Sequence, residues 1–200
     1  AGSTHFLEHL LFKGTNKRTA LDIAVAFDSV GGESNAETAR EHTAYWARVR
    51  DADLDMAIET LTDMVTDSRL DEVDFSMERG VILDELAMGE DSPTDTVHDT
   101  FQLAVHGDRP IGRPVGGTAQ AIREVERADV WEHYQAHYGP SSLIVAAAGN
   151  VDHESVCECV QAALEGSPWD AGSAASPWPR RSTTVTPIAD HDKDITRRRV

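Results

Sequence analysis

Lysine is scarce in this 200-residue chain. Three lysines, Lys13, Lys17 and Lys193, stand against fifteen arginines and 35 acidic residues, and the formal net charge is −17 at pH 7. That balance argues against a nucleic-acid partner, whose phosphates call for basic surface, and describes a solvated acidic exterior. Cysteine is nearly absent. Cys157 and Cys159 are the only two, and side chains two apart on a helix point in different directions. They therefore suit neither a mutual disulfide nor a shared metal, and inert thiols fit a reducing, cytoplasmic compartment. Long apolar runs are missing as well: none approaches the roughly 20 residues that span a bilayer. Hydrophobic residues still make up 40% of the chain, enough for one globular domain to bury a core.

What is present is concentrated at the start. His5-Phe6-Leu7-Glu8-His9 lies in a segment that favours a helix, with Thr4 as its expected N-cap. Imidazoles four apart project from one helix face, and Glu8 lies on the same side. Two such imidazoles chelate one zinc ion, and a carboxylate beside them takes a proton from water that the metal activates. A hydrolytic zinc keeps three protein ligands and one open position, so a third ligand is needed. Glu85 supplies a candidate in Glu78-Arg79-Gly80-Val81-Ile82-Leu83-Asp84-Glu85. Glu78 and Glu85 are two helical turns apart and share nearly one angle. With Val81 and Ile82 between them, that face is expected to be mostly buried. Carboxylates turned inward are costly unless compensated, and a metal with its surrounding groups compensates them. Arg79 and Arg40 are the alternative partners for Glu78.

The remaining periodicity predicts an α+β order. A helix is expected over 19–30, ended by Gly31-Gly32, then strands over 34–38 and 42–50. Helices follow over 51–67, 71–89, 92–106, 127–137 and 152–164. Residues 107–117 read as a Gly/Pro-rich loop. The unbroken apolar run 142–148 reads as a central strand, 166–181 as a loop or flexible connection, and 183–188 as a further strand. His133 and His137 form a second pair four apart. No acidic residue follows them at ligand spacing, and the helix ends beside them, so they are not expected to bind metal.

The segments HFLEHLLFKGT, GGESNAETAREHTAYWARV and ERGVILDELAM, together with GRPVGG at 112–117 and AAAGNV at 146–151, resemble the pitrilysin-type (inverzincin) zinc metallopeptidases. The likeness is to the branch of mitochondrial processing peptidase and its bacterial or archaeal relatives. It implies a layered α+β domain with a mixed, mainly antiparallel sheet packed against helices. It implies one zinc per chain on His5, His9 and Glu85, with Glu8 as general base and Glu78 in support. It also implies that a peptide adds as a strand beside Asn35 and Ala36, although Glu37 stands where relatives often carry an aromatic residue. The activity implied is endopeptidase cleavage of peptides or unfolded polypeptides. Two other readings stay open: a non-catalytic structural subunit of the same family, and a metal-dependent small-molecule lyase of related fold that uses a Cys ligand.

The resemblance further implies that residues 1–200 form part of an N-terminal domain, with strands before it and a second homologous domain or subunit after it, in a homo- or heterodimer. On that expectation the chain alone is inactive, and an uncovered apolar surface surrounds Phe6, Leu10, Leu11 and Phe12.

Overall fold

A computed structural model describes residues 2–169. The first helix, α1 (Ser3–Leu11), carries the two-histidine pattern. It starts one residue before the expected cap. Gly2 holds the N-cap position with φ 89°, and a Cβ there would meet the Gly116 carbonyl oxygen at 2.8 Å and Ile122 Cδ1 at 2.9 Å. A residue without a side chain is therefore required on both counts. Thr4 lies inside the helix instead, where its hydroxyl meets His133 Nε2 at 2.9 Å.

The next helix, α2 (Ala20–Asp28), is entered through a capping box between Thr19 and Asp22, which satisfies otherwise orphaned N–H groups. Gly31 turns out of it at φ 68°, and the Gly32 N–H closes onto the Phe27 carbonyl at 2.9 Å. Strands β1 (Glu33–Thr38) and β2 (Thr43–Arg48) pair antiparallel, with Asn35 opposite Trp46, Ala36 opposite Tyr45 and Thr38 opposite Thr43. A 3-10 turn at Asp51–Asp53 leads into α3 (Leu54–Thr66). Then come α4 (Glu72–Asp91), α5 (Pro93–His106), α6 (Ala119–Glu124), α7 (Arg127–His137) and α8 (His153–Leu164).

Two cores result. The first joins Phe6, Leu7, Leu10 and Leu11 of α1 to Phe75 and Ile82 of α4, Ile122 of α6, and Val130 and Tyr134 of α7. Phe6 stacks on Phe75 with ring centroids 4.5 Å apart. The second joins Ile23 and Phe27 of α2 to Ala57 and Met64 of α3. The expectation of bare apolar surface around Phe6, Leu10, Leu11 and Phe12 is therefore corrected. The first three are fully buried, because α4 and α7 cover them, and Phe12 packs at the edge of the second core.

Other expectations also change. The run 142–148 is not a strand: it follows a 3-10 turn at Pro140–Ser142, and Ile144 is 90% exposed. A strand exists only where another backbone takes up its N–H and C=O groups, and no partner lies beside this run among the described residues. The α+β class itself holds, with helices around an antiparallel β1–β2 hairpin that is the only sheet among the described residues. Helix α6 was hidden by its length of six residues. Val81 does not share the burial of Ile82 but is half exposed. The strand expected at 183–188 and most of the connection at 166–181 lie outside the described residues. No helix among the described residues is long and apolar enough to cross a membrane.

Arginines tie the layers together. Arg79 donates to the carbonyls of Ile122 (2.7 Å), Arg123 (2.6 Å) and Val125 (2.8 Å), satisfying carbonyls at the end of α6. Arg40, in the β1–β2 turn, donates to the carbonyls of Ile111 (3.0 Å) and Arg113 (2.6 Å) and to Asp99 (2.9 Å). This holds the hairpin against α5 and the Gly/Pro-rich loop. The stack of Phe6 on Phe75 gives a direct test of the α1–α4 packing. Phe75→Ala should lower the unfolding free energy by about 3–5 kcal/mol, the usual cost of emptying an aromatic site, and Phe75→Leu by less. Urea denaturation followed by circular dichroism measures both, and an unchanged midpoint for the Ala variant would contradict the packing.

Candidate metal centre

Helix α1 turns its apolar residues toward α4 and α7 and leaves His5, Glu8 and His9 half-buried at the rim. Helix α4 crosses beside it and brings in Glu78 and Glu85. The two carboxylates differ sharply. Glu78 is buried, with a side chain 6% exposed, and the Glu85 side chain is 49% exposed. The expectation that both face a buried stripe thus holds for Glu78 alone.

His9 is fixed by its two nitrogens. Its Nδ1 donates to Glu78 Oε2 at 3.0 Å, which leaves Nε2 as the acceptor nitrogen. That Nε2 lies 3.4 Å from Glu85 Oε2, and His5 Nε2 lies 3.6 Å from the same oxygen. One ligand atom each from His5, His9 and Glu85 falls within 4.8 Å of the other two, the only such group found among the described residues. Ligands about 2.0–2.1 Å from a tetrahedral zinc stand roughly 3.4 Å from one another, so the donor set fits a zinc ion in spacing and in kind. Burial, followed by the neighbouring His9, pushes the His5 pKa below its ordinary value. A neutral imidazole is the form that binds metal. His5 Nδ1 is buried without a hydrogen-bond partner among the described residues.

Glu78 also meets Lys13 Nζ at 2.7 Å, not Arg79 or Arg40 as its alternative partners. Each carboxylate oxygen therefore has a donor, and the charge that burial would penalise has a counter-ion. Lys13 escaped the sequence reading, although it lies four residues after His9, within reach of the same side. Glu8 Oε2 accepts a hydrogen bond from the Thr38 hydroxyl at the end of β1. Asn35 and Ala36 lie on the same strand, whose only strand neighbour among the described residues is β2. The Ala36 N–H is taken by the Asn35 side-chain oxygen at 2.8 Å.

Residues 1–119 match the family described as Insulinase (Peptidase family M16), and residues 124–199 match one described as Peptidase M16 inactive domain. The chain belongs to the M16 peptidase family. It is 52% identical over 176 residues to an uncharacterized zinc protease of Streptomyces coelicolor, covering 88% of this chain and 38% of that one. It is 46% identical over 183 residues to an uncharacterized zinc protease of Mycobacterium leprae, covering 92% and 41%. A protease from Helicobacter pylori superposes with a TM-score of 0.79 at 27% identity, covering 84% of this chain and 41% of that one. The chain thus spans less than half the length of these M16 relatives.

The second histidine pair, His133 and His137, lies at the C-terminal end of α7. The two rings are tilted at 56° with centroids 4.5 Å apart, and no third ligand joins them among the described residues. Burial, followed by the adjacent His137, pushes the His133 pKa from 6.5 down to about 4. Between those values the unfolded chain binds a proton that the folded chain does not, so stability falls as pH drops from 6.5 toward about 4. His133→Gln should flatten that slope in thermal melts run with chelator, leaving the smaller contribution of His5. An unchanged slope would show that His133 is not the buried neutral group.

Proposed function

We propose that this M16 chain carries the metal site of a zinc-dependent endopeptidase acting on peptides or unfolded polypeptides, with one zinc on His5, His9 and Glu85. The reading rests on one observation above all: the Nε2 atoms of the two imidazoles and a Glu85 oxygen converge at zinc-ligand spacing beside Glu8 on the same helix. A bound zinc would supply Lewis-acid polarisation of the scissile carbonyl and would make an attacking water acidic enough to lose its proton near neutrality. Glu8 takes that proton and returns it to the leaving amine nitrogen. Glu78, through its hydrogen bond to His9 Nδ1, holds that ring with Nε2 toward the site. The substrate adds to β1 as an extended strand along Asn35 and Ala36. Main-chain pairing of this kind tolerates many sequences, and the arriving backbone takes over the Ala36 N–H now held by Asn35.

In the full-length protein this half works with a second homologous domain or subunit, in a homo- or heterodimer, in a reducing cytoplasmic compartment. Its free thiols, Cys157 and Cys159, fit that location. Both lie on α8, away from the metal centre, so they do not favour a lyase-type Cys ligand. The complete set of expected ligands and base disfavours a purely structural subunit.

Metal analysis of the full-length protein should give one zinc per chain, lost in His9→Ala. Glu8→Gln should keep the zinc and lower turnover of a quenched fluorescent peptide by about 10²-fold or more, the usual contribution of a general base. Glu78→Gln should weaken zinc affinity or rate by about 10–100-fold. Residues 1–200 alone, with zinc added, should show no chelator-sensitive cleavage. Full zinc retention in His9→Ala, or near-normal turnover in Glu8→Gln, would sink the assignment.

A further inference from the structure

Behind Glu8 lies a line of hydroxyls that the proposed reaction does not yet use. Thr38 donates to Glu8 Oε2. Its oxygen lies 3.5 Å from the Thr43 hydroxyl, the residue directly across the hairpin. The Tyr138 hydroxyl sits beside Thr43 and lies 3.0 Å from the Tyr45 hydroxyl. The four side chains come from the two strands and the C-terminal end of α7. They lie in the layer where β2 and α7 face the base.

We infer that Thr38, backed by Thr43, Tyr138 and Tyr45, is the positioning residue that aims the general base Glu8. This inference rests on the peptidase reading above. A carboxylate only accepts, while each hydroxyl has one proton to give. With Glu8 ionised, Thr38 must spend its proton on Glu8. Thr43, 3.5 Å away, is then left to donate to Thr38. One charge thus sets the direction of both threonine hydroxyls, and the Thr38 donor is strengthened by the one behind it. Burial keeps both phenols protonated, pushing the Tyr45 and Tyr138 pKa values up, so the line supplies donors across the physiological range.

Two consequences follow. Thr38 engages one oxygen of Glu8, so the carboxylate is held in one rotamer instead of swinging over the metal site. Thr38 also ends β1, the strand proposed to receive the peptide, so the base and the docking edge share one rigid element. Displacing a reacting group by about 1 Å can cost on the order of 10² in rate, enough for a neutral hydroxyl that never touches substrate to matter.

The test uses the full-length, zinc-loaded protein and a quenched fluorescent peptide. Thr38→Val keeps shape and loses the donor. It should lower kcat by about 10–100-fold while leaving KM and zinc content unchanged. Thr38→Ser restores the donor and should recover most of kcat. Tyr138→Phe cuts the line further back and should cost less than Thr38→Val, and it serves as the second probe should Thr38→Val fold poorly. A double-mutant cycle read by thermal melting needs no catalysis. The midpoint shift of Thr38→Val should shrink when Glu8 is replaced by Ala, because the partner is gone. Wild-type kcat in Thr38→Val would overturn the inference, as would parallel losses of kcat, KM and zinc content that Ser does not rescue. A wild-type protein that turns over no peptide would defeat the peptidase reading itself. The melting cycle would then decide alone whether Thr38 holds Glu8, with additive shifts counting against it.

Discussion

A carboxylate buried in the middle of a helix survives only if its neighbours carry its charge and fill its lone pairs. Glu78 has both, in Lys13 at 2.7 Å and His9 Nδ1 at 3.0 Å. Much of the site's arrangement follows from that pair of contacts. They favour the rotation of α4 about its axis that brings Glu78 against both Lys13 and His9. Once that angle is set, the residue two turns along α4 comes out opposite the Nε2 atoms of His5 and His9, and it is Glu85. The same contact sets the tautomer of His9. The packing of Phe6 on Phe75, one turn before Glu78, holds the helices at the distance the ion pair needs. Hydrophobic contact therefore supplies proximity, and the buried charge supplies register.

Helix α1 reconciles two demands that conflict on most helices. Four of its nine residues, Phe6, Leu7, Leu10 and Leu11, are fully buried, while three carry the proposed chemistry. Positions 6, 7, 10 and 11 form one stripe and 5, 8 and 9 the adjoining one. The functional side chains are thus anchored by a rigid face directly behind them, and they open onto a rim formed by β1 and the Gly/Pro-rich loop. That loop approaches closely because it is glycine-rich: a Cβ on Gly116 would meet Leu86 Cδ2 at 2.8 Å.

This explains which features were legible in the sequence. The convergence of His5, His9 and Glu85 was readable because each part of it lies within a single helix: the i, i+4 histidines on α1 and the two-turn spacing on α4 are local geometry. The helices with strong periodicity were readable for the same reason. What could not be read depends on partners distant in sequence. The run 142–148 has the composition of a strand, but pairing is a property of two segments, and composition describes one. Val81 has the hydrophobicity of a buried residue, but which flank of α4 is covered depends on where α1 and α6 settle. Lys13 and Thr38 were missed because each acts through a residue far along the chain, Glu78 in one case and Glu8 in the other. Helix α6 left a signal only in its cap, the Thr118 side chain accepting from the Ala121 N–H.

The two supports of the site differ in kind, and under the peptidase reading the difference has a physical sense. The metal side is held by charge: Lys13, Glu78 and the His9 ring form a sequence of ionic and charge-assisted contacts, which are strong and directional. The base side is held by neutral hydroxyls. A cation beside Glu8 would stabilise its carboxylate and make it a weaker base. A hydroxyl perturbs basicity less and still fixes orientation. When Glu8 takes up a proton, the Thr38 and Thr43 hydroxyls can rotate to reverse their donor and acceptor roles, so the support accommodates both protonation states without moving a heavy atom. A lysine or arginine in place of Thr38 would hold one state only. The chain, short of lysine overall, places one of its three beside Glu78 and hydroxyls beside Glu8.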